Sequence, residues 1–256
     1  MKRFAPNINW LLPELPFSDR ARQVAEAGFG ALEFGFPSHA DTAGLKAIQD
    51  EFGLGVILFN QDVPVWDEAN RGYLVDPQRK DEFKRTLDEA LEIIDQLNVQ
   101  KVMLPAGVEL DSMTREAQRD CMLDNLLYAA PLAEEADVIF TIEMLNPIDN
   151  PGYFLTSTSD GLEIVTELDH PRIKFQFDTY HIQRMAGNLI ETLVDNISHI
   201  GHIQFADVPG RHEPGTGELN FKNIEAAARS AGYQGYIGLE YIPQADGMEA
   251  LDWCRG

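Results

Sequence analysis

The sequence contains few cysteines and no long apolar segment. Cys121 and Cys254 are the only two cysteines among 256 residues. They show no Cys-x-x-Cys spacing and are too few to cross-link a chain of this size, which favours a reducing compartment. Asn7, Asn9 and Pro13 interrupt the apolar stretch that a signal peptide would need. No segment is apolar over the length that a membrane span requires. We therefore expect a cytoplasmic protein that does not use a membrane.

Basic residues and histidines are also scarce. Lys and Arg number 20 against 42 Asp and Glu, which gives a formal net charge of −22. A negative surface repels phosphate backbones, so nucleic acid is not an expected partner. With only 6 histidines, a metal-dependent apurinic endonuclease, which assembles several metals with many histidines, is not expected either. The partner that remains is a small-molecule substrate, and a homo-oligomer stays possible.

Apolar residues, at 44%, and charged residues, at 24%, are present in ordinary globular proportions. Short apolar runs alternate along the whole chain with longer segments of helical periodicity. The strand candidates are Phe4–Ile8, Ala31–Phe36, Gly55–Phe59, Lys101–Leu104, Val138–Glu143, Ile173–Phe177, His202–Phe205 and Tyr236–Tyr241. The helix candidates are 18–27, 42–52, 81–97, 114–136, 159–168, 188–197, 221–231 and a short tail from Met248. Plausible N-caps are Ser18, Thr42 and Ser159.

Eight strand and helix units in about 250 residues predict an α/β fold, a single (β/α)₈ TIM barrel that occupies residues 1–256 as one domain. An open doubly wound sheet is the alternative, but its glycine-rich nucleotide-binding turn is missing. The longest irregular segment, residues 60–77, follows the third strand. We expect either an active-site lid there or a decorative loop.

Polar residues lie at or near the carboxyl ends of the last four predicted strands, with Gln204 inside the seventh. They are Glu143, Asp178, Gln204 and Glu240, and their spacings of 35, 26 and 36 residues approximate one strand and helix unit per step. In a barrel the chemistry lies at the carboxyl ends of the strands. Each carboxylate alone has an ordinary explanation as a helix cap or an ion-pair partner.

Taken together, these residues predict a metal site. Three carboxylates at one barrel mouth repel one another and raise each other's pKa, a cost that a divalent cation among them relieves. An all-oxygen set of three carboxylates and one amide suits Mg²⁺ or Mn²⁺ better than Zn²⁺.

Several segments resemble the xylose-isomerase-like TIM barrels, and within them the hydroxypyruvate isomerase family, which also holds the 2-oxo-tetronate isomerases. The resemblance extends over essentially the whole chain. It is carried by Thr-Ile-Glu143-Met-Leu-Asn146-Pro, Phe-Asp178-Thr-Tyr-His181, His202-Ile-Gln204-Phe-Ala-Asp207, Pro214-Gly-Thr-Gly217-Glu-Leu and Gly-Leu-Glu240-Tyr. Many sugar epimerases of this superfamily have His in place of Gln204.

The resemblance implies a metal bound by Glu143, Asp178, Gln204 and Glu240, with the two glutamates also transferring protons, and His181 in contact with the substrate. The expected reaction interconverts a small 2-oxo-3-hydroxy acid, hydroxypyruvate or a 2-oxo-tetronate, with its 3-oxo isomer through an enediol. The alternatives are a ketose 3-epimerase on the same scaffold and a barrel that binds a sugar or metal without turnover.

A substrate that carries a carboxylate needs a cation in this acidic protein, and Arg211 is the candidate. An exposed loop arginine is the equally plausible alternative. Gly215-Thr-Gly217 forms either a flexible loop or a phosphate cradle. Asn146 and Asp207 are expected at the substrate site, where they and Asn7 orient the ligands.

Overall fold

The structure, a computed structural model, describes residues 3–254 and shows eight parallel strands with helices between them. The TIM-barrel prediction is confirmed. The strands are β1 (Phe4–Pro6), β2 (Ala31–Glu33), β3 (Gly55–Asn60), β4 (Lys101–Met103), β5 (Ile139–Glu143), β6 (Ile173–Asp178), β7 (Ile200–Phe205) and β8 (Ile237–Leu239).

From β2 to β8 each strand pairs with the next in the chain, and β1 pairs with β8. Between β1 and β2 the contact is reduced to one parallel bridge, in which Asn7 pairs with Glu33. The barrel is thereby nearly closed. Several strands are shorter than predicted, and Glu240 lies one residue beyond β8. All strands point the same way, so their carboxyl ends meet at one mouth.

The helices are α1 (Phe17–Glu26), α2 (Thr42–Phe52), α3 (Lys80–Leu97), α4 (Arg115–Glu135), α5 (Thr158–Leu168), α6 (Thr179–Met185), α7 (Leu189–Asp195) and α8 (Phe221–Ser230), with 3₁₀ turns at Pro37–His39, Pro77–Arg79, Ile197–His199 and Gly247–Cys254. The sequence did not predict α6, because seven residues are too few for a helical period to show. Its first turn is capped by Asp178, whose carboxylate accepts a hydrogen bond from the Tyr180 N–H at 2.8 Å.

The three predicted N-caps are wrong by one or two residues. The N-cap of α1 is Pro16, that of α2 is Asp41, and that of α5 is Ser157. The last two accept hydrogen bonds from backbone N–H groups inside their helices. An N-cap lies where the backbone enters the helical region. The sequence alone places that point only approximately.

The main hydrophobic core fills the space between the strands and the helices. A small separate cluster of Ala5, Ala31 and Ile57 packs with Tyr236. The segment after β3 is irregular up to the 3₁₀ turn at Pro77–Arg79, and Tyr73, Leu74 and Val75 within it are buried. No helix within residues 3–254 is long and apolar enough to span a membrane.

Candidate active site

A cavity of about 780 Å³ lies at the carboxyl ends of the strands. Its wall includes the last residues of three strands, Asn60 of β3, Met103 of β4 and Glu143 of β5, together with Glu240 just after β8. A cavity of this volume holds a substrate of a few to a dozen heavy atoms.

Glu143 and Gln204 are linked by a residue that the sequence analysis missed, Gln176. The Gln176 side-chain amide donates one hydrogen bond to Glu143 Oε2 at 3.0 Å and another to Gln204 Oε1 at 2.8 Å. Gln176 in turn accepts a hydrogen bond from the Thr141 hydroxyl. Its position two residues before Asp178 was the available signal, because alternate residues of a strand share one face.

Asp178 and Glu240 are joined by Arg211. One terminal nitrogen of its guanidinium lies 3.3 Å from Asp178 Oδ2 and 2.9 Å from Glu240 Oε2. The expectation of an exposed loop arginine is wrong, since the Arg211 side chain is only 15% exposed. It also lies over the rings of Trp10 and Tyr180. Gln176 thus links Glu143 to Gln204, and Arg211 links Asp178 to Glu240. The two pairs meet where a carboxylate oxygen of Glu143 lies within 4.8 Å of one of Asp178.

Burial controls the charge state of these carboxylates. Removal from water raises the pKa of Asp178 to about 7, against the opposing effect of Arg211. The pKa of Glu143 is raised well above its ordinary value by burial first and by Asp178 and Glu240 next. Burial likewise raises the pKa of Glu240, which Arg211 partly offsets. The site therefore holds its negative charges at a cost that a further cation would lower.

His181, in α6, has a defined tautomer. Its Nδ1 accepts a hydrogen bond from the backbone N–H of Asn146 at 3.1 Å, so the proton of the neutral ring lies on Nε2. Burial holds the pKa of His181 well below its ordinary value, and the ring is neutral. Nε2 lies 3.7 Å from Asp178 Oδ2, facing the carboxylate cluster. His181 is thus suited to donate a hydrogen bond, and Asn146 orients it.

Glu33 is a buried glutamate of β2 that the sequence analysis also missed. Its Oε1 accepts hydrogen bonds from the side-chain amides of Gln204 at 2.8 Å and Asn7 at 3.2 Å. Its Oε2 lies 2.8 Å from His202 Nε2, and His202 Nδ1 lies 3.3 Å from Lys101 Nζ. Burial raises the pKa of Glu33 to about 7. This polar chain crosses the barrel interior and orients Gln204 with its oxygen away from Glu33.

Asp207 orders the loop that follows β7. Its two carboxylate oxygens accept hydrogen bonds from the backbone N–H groups of Val208, Gly215, Gly217 and Leu219 at 2.9–3.1 Å. The amides of the Gly215-Thr-Gly217 turn are therefore already occupied: Gly215 and Gly217 donate to the Asp207 carboxylate, and Thr216 donates to the Glu213 carbonyl oxygen at 3.2 Å. This leaves them no role as a phosphate cradle. Since this loop also carries Arg211, the contacts of Asp207 favour an indirect role at the substrate site.

The chemistry of the donor set fits a divalent cation. One ligand atom from each of Glu143, Asp178 and His181 lies within 4.8 Å of the others. Glu143 Oε1 is buried and has no hydrogen-bond partner among residues 3–254, which is unusual for a carboxylate oxygen. Because His181 Nε2 carries a proton, the oxygens of this cluster suit the ion and the imidazole does not.

Comparison with known proteins agrees with this architecture. Residues 21–256 match the xylose isomerase-like TIM barrel family. The chain belongs to that family. Within it, a 2-oxo-tetronate isomerase of Cupriavidus necator is 38% identical over 255 residues, which cover 100% of this chain and 98% of that protein. The hydroxypyruvate isomerase of Escherichia coli is 33% identical over 253 residues, covering 99% of this chain and 98% of that protein.

A crystal structure described as an AP endonuclease of family 2 from Brucella melitensis superposes with a TM-score of 0.93 at 32% identity, covering 99% of this chain and 98% of that chain. The full-length relatives named above are isomerases, and this member of the xylose isomerase-like family is an isomerase too. The alternative of a barrel that binds without turnover is therefore wrong.

Proposed function

We propose that the protein interconverts a small 2-oxo-3-hydroxy acid, hydroxypyruvate or a 2-oxo-tetronate, with its 3-oxo isomer through an enediol. The observation that carries the proposal is the convergence of two glutamates on a cavity that also contains the neutral His181. Glu143, the last residue of β5, is buried, and Glu240, just after β8, has a side chain that is 15% exposed. A protein named 2-oxo-tetronate isomerase and another named hydroxypyruvate isomerase are each similar to this chain over its full length.

Glu143, Asp178, Gln204 and Glu240 would hold Mg²⁺ or Mn²⁺ in this proposal. The support is the unpartnered oxygen of Glu143 and the all-oxygen character of the set. Such an ion supplies Lewis-acid stabilisation of negative charge on the substrate oxygens. Arg211, which lies between Asp178 and Glu240, balances their charge and contacts a substrate oxygen.

The protein's own side chains move the proton. One of Glu143 and Glu240 removes the proton from C3 of the 2-oxo acid, and the other returns a proton to C2 or shuttles the hydroxyl proton. Their raised pKa values suit both steps, because a general acid or base works best near the operating pH. His181 Nε2–H donates a hydrogen bond to the substrate carbonyl oxygen, where negative charge develops.

The decisive experiment follows deuterium. Incubation with hydroxypyruvate or a four-carbon 2-oxo acid in D₂O, with Mg²⁺ or Mn²⁺, should place deuterium on the reacting carbon and form the 3-oxo product. Thorough chelation should stop both. Turnover undiminished after chelation would rule out the metal role, and the absence of both exchange and product would rule out the reaction.

A ketose 3-epimerase remains the second candidate, because a cavity of about 780 Å³ also admits a six-carbon sugar. It uses the same proton chemistry, so the assay should include ketoses such as D-fructose under identical conditions. We expect the acid substrates to be preferred by kcat/KM. Faster turnover of a ketose would favour the epimerase.

DNA is not expected as a substrate despite the description of the Brucella protein. The net charge of −22 disfavours binding of a phosphate backbone. We further propose that the protein is cytoplasmic, and a homo-oligomer stays a prediction that sedimentation can check.

A further inference from the structure

Arg71 is a buried arginine that has no acidic partner. The residue is 6% exposed, and no carboxylate lies within 4 Å of its guanidinium among residues 3–254. Nη1 donates a hydrogen bond to the neutral Asn150 Oδ1 at 2.6 Å, and Nε is buried without any partner in the same part of the chain. The guanidinium lies 5.6 Å from the Trp66 ring centroid.

An unpaired buried cation is costly to maintain. It is the more unusual in a chain with 42 acidic and 20 basic residues, where an acidic partner is easily supplied. Arg211 shows the ordinary solution, since it contacts two carboxylates. Among residues 3–254, Arg71 instead has an Nε that is buried without an acceptor and an Nη2 with no recorded hydrogen bond. This Nε and Nη2 edge matches the two oxygens of a carboxylate.

The position of Arg71 relates it to the active site. Both of its neighbours, Trp66 and Asn150, line the cavity that contains Glu143. Tyr153, whose hydroxyl donates to the Glu143 carbonyl oxygen, is influenced electrostatically by both Arg71 and Glu143. The guanidinium is therefore close to the β5 side of the cavity wall.

Backbone geometry holds Arg71 there. Gly72 has a φ of +118° and bridges Ala106, just after β4. A Cβ at Gly72 would lie 2.2 Å from the Pro105 carbonyl oxygen, so only glycine lets the two segments pack this closely. The loop that contains Arg71 is thus fixed against the barrel mouth and is not an excursion into solvent.

We propose that Arg71 is the binding residue for the carboxylate group of the substrate, with Asn150 orienting its guanidinium and Trp66 supporting it. The inference rests on the proposed function and assigns the substrate's anionic end to the side of β3 to β5. It assigns the contact with the substrate carboxylate to Arg71 and no longer to Arg211, the candidate chosen from the sequence, because Arg211 already neutralises Asp178 and Glu240. The reacting carbons then extend towards Glu143 and Glu240.

The test compares two substrates that differ at this group alone. Dihydroxyacetone has the same reacting carbons as hydroxypyruvate but a hydroxymethyl group in place of the carboxylate. The measured quantity is the ratio of kcat/KM for hydroxypyruvate to that for dihydroxyacetone. Arg71→Met should lower this ratio about 100-fold, as expected for loss of a charged hydrogen bond, and Arg71→Lys should lower it less, because it keeps the charge but loses the fork.

Arg79→Met is the matched control. Arg79 lies on the 3₁₀ turn that ends the same loop, and it hydrogen-bonds Asn70, next to Arg71, but pairs with Glu82. The ratio should stay unchanged in this variant. If Arg79→Met lowers it as strongly as Arg71→Met, the effect comes from loop disorder and the proposal is overturned.

Binding without turnover separates this inference from the proposed function. Tartronate, a non-isomerising hydroxy dicarboxylate, is titrated calorimetrically into each variant with Mg²⁺ present. Arg71→Met should bind it at least about tenfold more weakly than the wild type. Unchanged tartronate affinity in Arg71→Met overturns the carboxylate site, whether or not either substrate is turned over. A wild type that binds tartronate through Arg71 but isomerises neither substrate contradicts only the proposed function. Thermal denaturation of each variant checks folding, and if Arg71→Met is unfolded, the same readings from Arg71→Lys decide.

Discussion

At the scale of single residues, each of the three proposed carboxylate ligands accepts a hydrogen bond from an identifiable side chain, Gln176 for Glu143 and Arg211 for the other two. Glu240 accepts a hydrogen bond from Arg211 at 2.9 Å and one from Asn7 at 3.5 Å, and burial raises its pKa. An amide in its place keeps the shape but cannot accept and return a proton.

Glu240→Gln should therefore leave the fold intact and lower kcat by about 10²- to 10⁴-fold. Steady-state kinetics with hydroxypyruvate measure the loss, and circular dichroism checks the fold. Glu92→Gln, an exposed glutamate of α3, is the control and should retain its rate. A Glu240→Gln enzyme with near-normal kcat would eliminate Glu240 as the acid or base.

A second residue-scale prediction concerns Glu33, which receives the amide N–H of Gln204 at 2.8 Å. The Glu33 oxygen that faces Gln204 accepts this hydrogen bond, so the Gln204 oxygen is directed to the other side, where it accepts from Gln176 and would also face an ion. Glu33→Gln removes this preference and should weaken Mn²⁺ binding about tenfold or more, as measured by calorimetric titration. Glu213→Gln, a buried glutamate that binds the backbone N–H groups of Gln244 and Ala245, is the control. Equal Mn²⁺ affinity in wild type and Glu33→Gln would refute the orienting role.

At the scale of elements, the strands position the proposed ligands and the loops position the cations. Asp178 is the last residue of β6 and the N-cap of α6, so one residue both ends the strand and caps the helix. The loop after β7 depends on Asp207, which accepts four backbone hydrogen bonds and so fixes the segment that contains Arg211.

Gly217 is the sensitive point of that loop. A Cβ there would lie 2.0 Å from the Val208 carbonyl oxygen and 2.6 Å from Asp207 Oδ1. Gly217→Ala should destabilise the protein by about 1–3 kcal/mol and lower kcat/KM about tenfold by displacing Arg211. Thermal denaturation and kinetics measure the two effects. Gly55→Ala, where the nearest atom is 3.4 Å away, should change neither by a comparable amount; equal losses in both variants would argue against a loop-specific effect.

At the scale of the whole molecule, negative charge is concentrated both on the surface and inside the barrel mouth. The folded protein keeps Asp178 with a pKa of about 7, against an ordinary value of 3.8. As pH rises from about 4 to 7, the unfolded chain loses this proton before the folded chain does. The contribution of Asp178 to stability is therefore present at low pH and is lost as pH rises through 7, by at most about 1.4 kcal/mol per pH unit.

This sign gives a prediction for the chelated protein. Asp178→Asn cannot ionise, so its melting temperature minus that of the wild type, both in EDTA, should increase between pH 5 and pH 8. Comparing the variant with the wild type cancels the other titrating groups to first order. Excess Mg²⁺ or Mn²⁺ at pH 8 should stabilise the wild type, by about 2.7 kcal/mol at 100 times Kd, and not the variant. A difference that is constant with pH would contradict the raised pKa.

The residues of the active site show what can be predicted from the sequence and what cannot. Alternating apolar runs and helical periods predicted the barrel, since a parallel sheet requires a crossover helix between successive strands. The polar residues at or next to the ends of β5 to β8 identified the four ends that converge, because strand order in a barrel follows chain order. The sequence did not identify Gln176 or Glu33 as their partners, because both lie inside the predicted strands Ile173–Phe177 and Ala31–Phe36. The local sequence does not show which side chains of other strands such interior residues contact.

By itself, then, the sequence determined the architecture and the face on which the chemistry lies, since both follow from the order and period of the elements. Only the tertiary structure decided which charges are paired. Arg211, expected to be free for a substrate, contacts Asp178 and Glu240. Arg71, in a loop without periodicity, is buried with no carboxylate within 4 Å in the described part of the chain, residues 3–254. Such pairing depends on distances between side chains far apart in the chain, and no local pattern of residues encodes those distances.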